Sequence, residues 1–152
     1  MAKDGFTDEQ LAMLLQVSRD FAFEQIAQEM PLLPYATCVD PQGEMNFVRF
    51  AEPGTDLSPD EVVTLTFGEV AKEASDGGLL AVAVVSAVKL EQGEDGMTDA
   101  IRIHVEAPRF ARQFLAFYSL SGEQDGGGKQ ARQPLSPGKL VPFDAQPVVF
   151  GK

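Results

Sequence analysis

The stretch Gly77-Gly78-Leu79-Leu80-Ala81-Val82-Ala83-Val84-Val85-Ser86-Ala87-Val88-Lys89-Leu90 is the longest apolar run of the chain. Small and β-branched side chains occupy both of its alternating faces, which is typical of a strand covered on two sides near the middle of a sheet. Periodicity alone also fits a buried helix, because the run is short. The two glycines before it and the four valines within it favour the strand. We therefore predict a central strand here.

Length and composition indicate one globular domain. The chain has 152 residues, 44% hydrophobic and 23% charged, which is enough to bury a core and ordinary for a soluble protein. No run reaches the roughly 18 apolar residues of a membrane helix, so no membrane partner is expected. The N-terminus shows no secretory signal, and the single cysteine, Cys38, excludes an internal disulfide. These features predict a cytoplasmic protein.

The net charge of −11 is unevenly distributed along the chain. Residues 1–128 hold 8 basic and 22 acidic side chains, a net charge of −14, whereas residues 129–152 have a net charge of +3. A body this acidic repels phosphate backbones, so a nucleic-acid partner is not expected. The acidity either serves solubility alone or attracts the basic tail to an acidic surface.

Two helices are predicted from capping signals and apolar periodicity. The first begins after Thr7, which forms a capping box with Gln10, and ends before Pro31. The second has the stronger signal, with Ser58 as N-cap, a proline at its first position and Glu61 closing the capping box. Five strands complete the prediction, at 35–39, 44–50, 77–90, 100–106 and 109–120.

The fourth predicted strand alternates cleanly between apolar and polar residues. Arg102, His104 and Glu106 share one face, as in an antiparallel strand whose polar side meets water. A tight turn at Ala107-Pro108 is predicted to place Glu106 opposite Arg109. The same register places Arg112 on the apolar side.

The C-terminal part of the chain is predicted to lie outside the domain of residues 1–120. Residues 121–133 contain three consecutive glycines and almost no apolar side chains, which is typical of a flexible linker. Residues 134–152 contain four prolines but also apolar groups. We interpret them as an extended arm docked on the body or on a neighbouring subunit.

Two side chains with catalytic potential occur once each. Cys38 lies in an apolar strand pattern, and the sequence supplies no nearby base that would activate its thiol. We therefore interpret it as a small core residue. His104 is either a solvated or cross-strand-paired side chain, or part of a ligand-contacting spot. One histidine and one cysteine do not supply the usual ligands of a zinc site. No metal, cofactor or catalytic residue is assigned.

Three polar loops match known ligand loops only in part. Residues 122–130 have Glu123 and Gln130 where a phosphate-binding loop requires glycine and a hydroxyl residue. Residues 40–44 lack the acidic alternation of a calcium-binding loop and predict a hairpin turn. The acidic group Glu94, Asp95 and Asp99 is interpreted as solvated, with a divalent-ion site as the alternative.

Positive charge is concentrated on two adjacent predicted strands. Arg102, Arg109 and Arg112, with His104, are the candidate binding residues for a carboxylate or phosphate group. Cross-strand pairing of these arginines with Glu106 and neighbouring acids is the alternative.

The element order predicts an α+β fold, with an antiparallel sheet of about five strands and two main helices packed on it. Over residues 6–120 this order is similar to that of profilin-like and roadblock-like domains, which run strand-strand-helix-strand-strand-strand after a first helix. Roadblock-like domains end with a helix, whereas this chain continues as a proline-rich arm.

Three functions are compatible with these features. The first is a non-enzymatic interaction module that acts as a homodimer, through a sheet edge, the first helix or the arm, with a further protein partner as an option. The second is a sensor or binding protein for a small anionic ligand around Arg102, His104 and Arg109. The third is an enzyme, because a fold does not settle function.

Overall fold

The computed structural model describes residues 7–27, 33–51, 55–94, 97–120 and 135–150. In these residues it contains two helices and a six-stranded antiparallel sheet, which confirms the α+β prediction. The strand order is β2-β1-β3-β4-β5-β6. The elements are α1 (Asp8–Ala27), β1 (Tyr35–Val39), β2 (Met45–Val48), α2 (Pro59–Ser75), β3 (Ala81–Glu94), β4 (Met97–Ala107), β5 (Phe110–Leu120) and β6 (Leu135–Asp144).

The predicted central strand is β3, which pairs with β1 on one side and β4 on the other. It follows α2 after a short turn in which Gly77 has a positive φ of 82° and donates its N–H to the Ala74 carbonyl. Its two faces are both buried, as the pattern predicts. Ala81, Ala83 and Val85 face one layer, and Val82 and Val84 face the other.

The two helices cover opposite faces of the sheet. α1 contributes Leu14, Ala22 and Phe23 to one core, which includes the inward residues of β1, β3, β4 and β5. Three polar residues inside this core are hydrogen-bonded: Ser18 Oγ lies 3.0 Å from Thr37 Oγ1, and the Tyr35 hydroxyl donates to the Ser18 carbonyl at 2.6 Å. These hydrogen bonds satisfy Ser18 and Thr37, which are both fully buried.

The opposite face is covered by α2, whose predicted capping box is present. The Glu61 N–H donates to Ser58 Oγ at 3.1 Å, and the Ser58 N–H donates to Glu61 Oε1 at 2.8 Å. Val70 of α2 packs over β1 and β3. α2 alone does not complete this layer, since Val149 and Phe150 from the C-terminal part of the chain join the same apolar cluster.

The sheet has six strands rather than about five, because residues 135–144 pair with β5 of the same chain. Proline lacks a backbone N–H and is tolerated only where a strand has a free side, so Pro137 and Pro142 suit the outermost position. The predicted arm is thus part of the sheet as far as Asp144. The predicted linker, residues 121–133, lies outside the described residues.

The predicted register of the β4–β5 hairpin is wrong by two residues. Glu106 pairs with Ala111 rather than Arg109, because the turn consists of Pro108 and Arg109 rather than Ala107 and Pro108. Proline fits the first turn position, and Arg109 adopts a positive φ of 67° at the second, as a type II turn requires. Non-glycine residues rarely adopt this conformation, so the pattern did not reveal it.

The prediction that the polar face of β4 meets water is also wrong. Glu106 is 0% exposed and His104 only 4%. The reason is that α2 and residues 148–150 lie on this face and cover His104 and Glu106.

Candidate functional site

The four predicted binding residues occupy three different places. Arg102 and His104 lie on β4 under the α2 layer. Arg109 is exposed at the β4–β5 turn and borders a cleft of about 450 Å³ there. Arg112 lies on the α1 face of β5, where its Nε is buried without a hydrogen-bond partner in the described part of the chain. The structure therefore brings Arg102 and His104 onto one face and leaves the other two apart.

His104 forms a hydrogen bond with a buried carboxylate. Its Nε2 lies 2.9 Å from Glu106 Oε1, two residues along the same strand face. The Phe67 ring from α2 packs against the imidazole in a T-shaped arrangement, with the ring centres 5.0 Å apart and the planes at 82°. Packing against Phe67 and the hydrogen bond to Glu106 together fix the orientation of the imidazole.

Glu106 also holds the C-terminal segment, residues 148–150. The N–H groups of Val148 and Val149 each lie 2.9 Å from both carboxylate oxygens, and the Phe150 N–H lies 3.0 Å from Oε2. Consecutive backbone N–H groups that converge on one anion form a nest, which stabilises negative charge. We call this arrangement the Glu106 anchor. It seats Val149, which is 7% exposed, in the apolar cluster under α2.

The Glu106 anchor keeps a charge inside the protein. Burial by itself raises the pKa of Glu106, but the hydrogen bonds from His104 and from the three backbone N–H groups outweigh it and lower the pKa below its usual value near 4.5. The donors replace the lost water, which is the condition for burying a charge without a large penalty. The charged form of Glu106 therefore binds the C-terminal segment more tightly than the protonated form.

This pKa shift predicts a specific loss of stability in acid. A carboxylate whose pKa is lowered on folding contributes stability that is fully present above the unfolded pKa and is lost as the pH falls through the folded pKa. The difference in unfolding free energy between wild type and Glu106→Gln should therefore shrink as the pH falls from about 6 to about 3, because the loss begins near the ordinary pKa of 4.5 and continues through the lowered pKa. Urea unfolding at each pH measures it. Glu44→Gln, which changes an exposed carboxylate, should give a small difference throughout, and a Glu106→Gln difference that stays constant would contradict the anchor.

The role of Glu106 is not visible in the sequence. Its polar alternation on β4 predicts an outward side chain, and its backbone partners in residues 148–150 lie more than forty residues away in the chain. The one available signal is the apolar run Val148-Val149-Phe150 in a segment otherwise rich in polar residues and proline. That run indicates docking but does not identify the acceptor.

A second polar feature lies further along the same face, in a cleft of about 300 Å³ between β3, β4 and the first turn of α2. Ser86 and Arg102 face each other across the β3–β4 pairing and form part of its lining. Among the described residues, neither the Ser86 hydroxyl nor the Arg102 guanidinium has a hydrogen-bond or ion-pair partner. The remaining lining residues are Pro34, Pro59, Asp60, Val63, Thr64, Ala87 and Val88.

An apolar surface lies at the other end of the sheet, along the outermost strand β2. Phe47 is 46% exposed and stacks on Phe21 of α1, with ring centres 4.6 Å apart. Met13 and Val17 precede Phe21 at spacings of four residues, so the three lie on one side of α1. Met13 is 56% exposed. We call Met13, Val17, Phe21 and Phe47 the edge ridge.

The other candidate groups show ordinary structural roles. Burial, followed by the charge of Glu73, raises the pKa of Cys38 to about 11, so its thiol stays protonated and weakly nucleophilic at neutral pH. Asp99 pairs with Lys89, with Oδ1 and Nζ 3.0 Å apart. Asp95 and the side chain of Glu94 lie outside the described residues. Within the described ranges, no three His, Cys, Asp or Glu side chains form a group that fits a metal ion.

Comparisons with known proteins leave the site to be interpreted from its own geometry. No family model, no curated protein and no solved structure matches the chain. Over the residues that the structure describes, neither helix combines the length and the apolarity needed to cross a membrane.

Proposed function

We propose that this protein is a non-enzymatic interaction module that acts in the cytoplasm as a homodimer, and that the two copies meet through the edge ridge. The observation that carries the proposal is the position of the ridge. It combines exposed aromatic and apolar side chains with β2, which is the outermost strand of the sheet over the described residues. Exposed apolar groups next to an open strand edge favour association with another chain.

Charge favours a second copy as the occupant of this surface. Each chain has a net charge of −11, so most pairs of surfaces on two copies repel each other. An isologous interface must complement itself, and an apolar patch does so where an acidic patch does not. The edge ridge contains no charged side chain. The same reasoning predicts that added salt strengthens the dimer, because salt screens the remaining repulsion between the copies.

The mass in solution tests this proposal. Sedimentation equilibrium of the full chain should give twice the mass of one chain, and the dimer should dissociate less readily at high salt than at low salt. Phe47→Glu and, independently, Met13→Glu should give the mass of a single chain, because each places a charge at the centre of the contact. Met13 lies on the outer side of α1, so its variant remains informative if Phe47→Glu unfolds.

Phe143→Glu is the matched control. Phe143 is 44% exposed, close to the exposure of Phe47, but it lies on β6 at the opposite edge of the sheet. This variant should remain dimeric. A wild-type chain that stays monomeric at all concentrations would refute the dimer, and a dimer that persists in both Phe47→Glu and Met13→Glu would refute the edge ridge as its interface.

A further inference from the structure

The cleft under the first turn of α2 contains polar groups that the fold itself does not use. The Ser86 side chain is only 6% exposed, and its hydroxyl faces the cleft without a hydrogen-bond partner among the described residues. Arg102 lies directly opposite it on β4. Neither group is a buried unsatisfied atom, because Arg112 Nε is the one such atom in the described residues, so the hydroxyl and the guanidinium are both accessible to a ligand that supplies acceptors.

The charges around the cleft define the ligand more closely. Guanidinium and hydroxyl groups together suit a carboxylate, which accepts from both. Asp60 of the α2 first turn lies on the wall of the same cleft and is not paired with Arg102. A simple anion would meet repulsion from Asp60. A zwitterion matches both charges, because its cationic group can approach Asp60 while its carboxylate lies on Arg102.

The apolar lining and the volume set the size of the ligand. Pro34, Val63 and Val88 provide apolar walls, which suit an aliphatic side chain. A volume of about 300 Å³ lies at the lower end of the range that is typical of small-molecule sites. The cleft therefore suits a small ligand.

We propose that this cleft binds a free α-amino acid with an aliphatic side chain. Its carboxylate accepts hydrogen bonds from Arg102 and Ser86, its ammonium group pairs with Asp60, and its side chain contacts Val63 and Val88. The cleft lies on the α2 face and the edge ridge on the α1 side, so this proposal stands independently of the dimer and fails independently of it.

An NMR titration of the ¹⁵N-labelled full chain tests the proposal with L-leucine as the probe. Leucine should shift the amide signals of Ser86, Arg102 and Val63, with a dissociation constant of roughly 0.1–1 mM for a ligand of this size. L-leucinamide, which lacks the carboxylate, and N-acetyl-L-leucine, which lacks the ammonium group, should each bind at least about tenfold more weakly. The two analogues separate the contribution of Arg102 from that of Asp60.

Variants of the lining residues make the test specific. Arg102→Gln should weaken leucine binding at least about tenfold, whereas Arg109→Gln, which removes an exposed arginine outside the cleft, should leave it unchanged. Asp60→Asn should weaken leucine but strengthen N-acetyl-L-leucine, because it removes the repulsion of an uncompensated anion. Loss of binding through misfolding would weaken both ligands and alter the whole spectrum.

Several outcomes would overturn the proposal. The absence of shifts at leucine concentrations up to about 10 mM, well above the expected dissociation constant, would show that the cleft does not bind amino acids. Equal binding by wild type and Arg102→Gln would show that the Arg102 guanidinium does not contact the ligand. Binding of leucinamide or N-acetyl-L-leucine as tight as that of leucine would exclude recognition of a zwitterion.

Discussion

Glu106→Gln is expected to lower the free energy of unfolding by about 3 kcal/mol. The substitution keeps the shape of the side chain but removes its charge and replaces one acceptor oxygen with an NH₂ donor. The three N–H groups of Val148, Val149 and Phe150 then face one acceptor instead of two, and one of them meets another donor. Hydrogen bonds to a charged group contribute about 1.5–3 kcal/mol each, so their partial loss outweighs the gain from burying a neutral group. Urea unfolding at neutral pH measures the change.

Glu44→Gln is the control for this substitution. It makes the same chemical change at an exposed position of the β1–β2 turn, and its effect should stay within about 0.5 kcal/mol. Hydrogen exchange adds a local measurement, because the Val148, Val149 and Phe150 amides should lose protection in Glu106→Gln. If Glu106→Gln is as stable as the Glu44 variant, the Glu106 anchor does not hold the C-terminal segment.

Ending the chain at Asp144 is expected to lower the free energy of unfolding by about 4 kcal/mol. Val149 leaves the cluster under α2, and burial of a valine side chain is worth about 1.5–3 kcal/mol. Phe150 leaves the same cluster, and Glu106 loses three hydrogen-bond donors at once. Water that enters the vacated site solvates Glu106 and offsets part of the loss.

A chain that ends at Phe150 is the control for this truncation. It keeps all three N–H donors of the Glu106 anchor and the apolar contacts of Val149, so its stability should match that of the full chain. A truncation at Asp144 that costs no more than this control would mean that residues 145–150 do not complete the α2 layer. Both variants retain β6, so they separate the anchor from the pairing of the sixth strand.

Local signals made most of the fold predictable from the sequence. The capping box at Ser58 depends on residues three apart, and the turn at residues 40–43 depends on four adjacent residues, so both are visible in a short window. The alternation over β3 and β4 likewise fixes which residues share a face. Each of these features is confirmed because the interactions that create it are close in the chain.

The features that were missed depend on long-range or rare conformations. The register of the β4–β5 hairpin depends on a positive φ at Arg109, which most side chains disfavour. β6 was not predicted as a strand because its prolines argue against one, and only its outermost position makes them acceptable. The burial of Glu106 depends on α2 and on residues 148–150, neither of which is near it in sequence.

The candidate site was predictable in composition but not in arrangement. Arg102 and His104 do share a face, because they are two residues apart on one strand. The tertiary structure gives these two residues different surroundings. His104 is hydrogen-bonded to Glu106, whereas Arg102 lines a cleft that α2 completes. Strand alternation carries no information on which helix lies above each residue.

The central claim is that Glu106 fixes the C-terminal segment on the α2 face, and a double-mutant cycle tests it most directly. The cycle compares the unfolding free energies of wild type, Glu106→Gln, the chain ending at Asp144 and the combination of both changes. If Glu106 acts through residues 148–150, the two single losses overlap, and the combined loss should be smaller than their sum by at least about 2 kcal/mol. Losses that add to within about 0.5 kcal/mol would show that the two act independently and would contradict the claim.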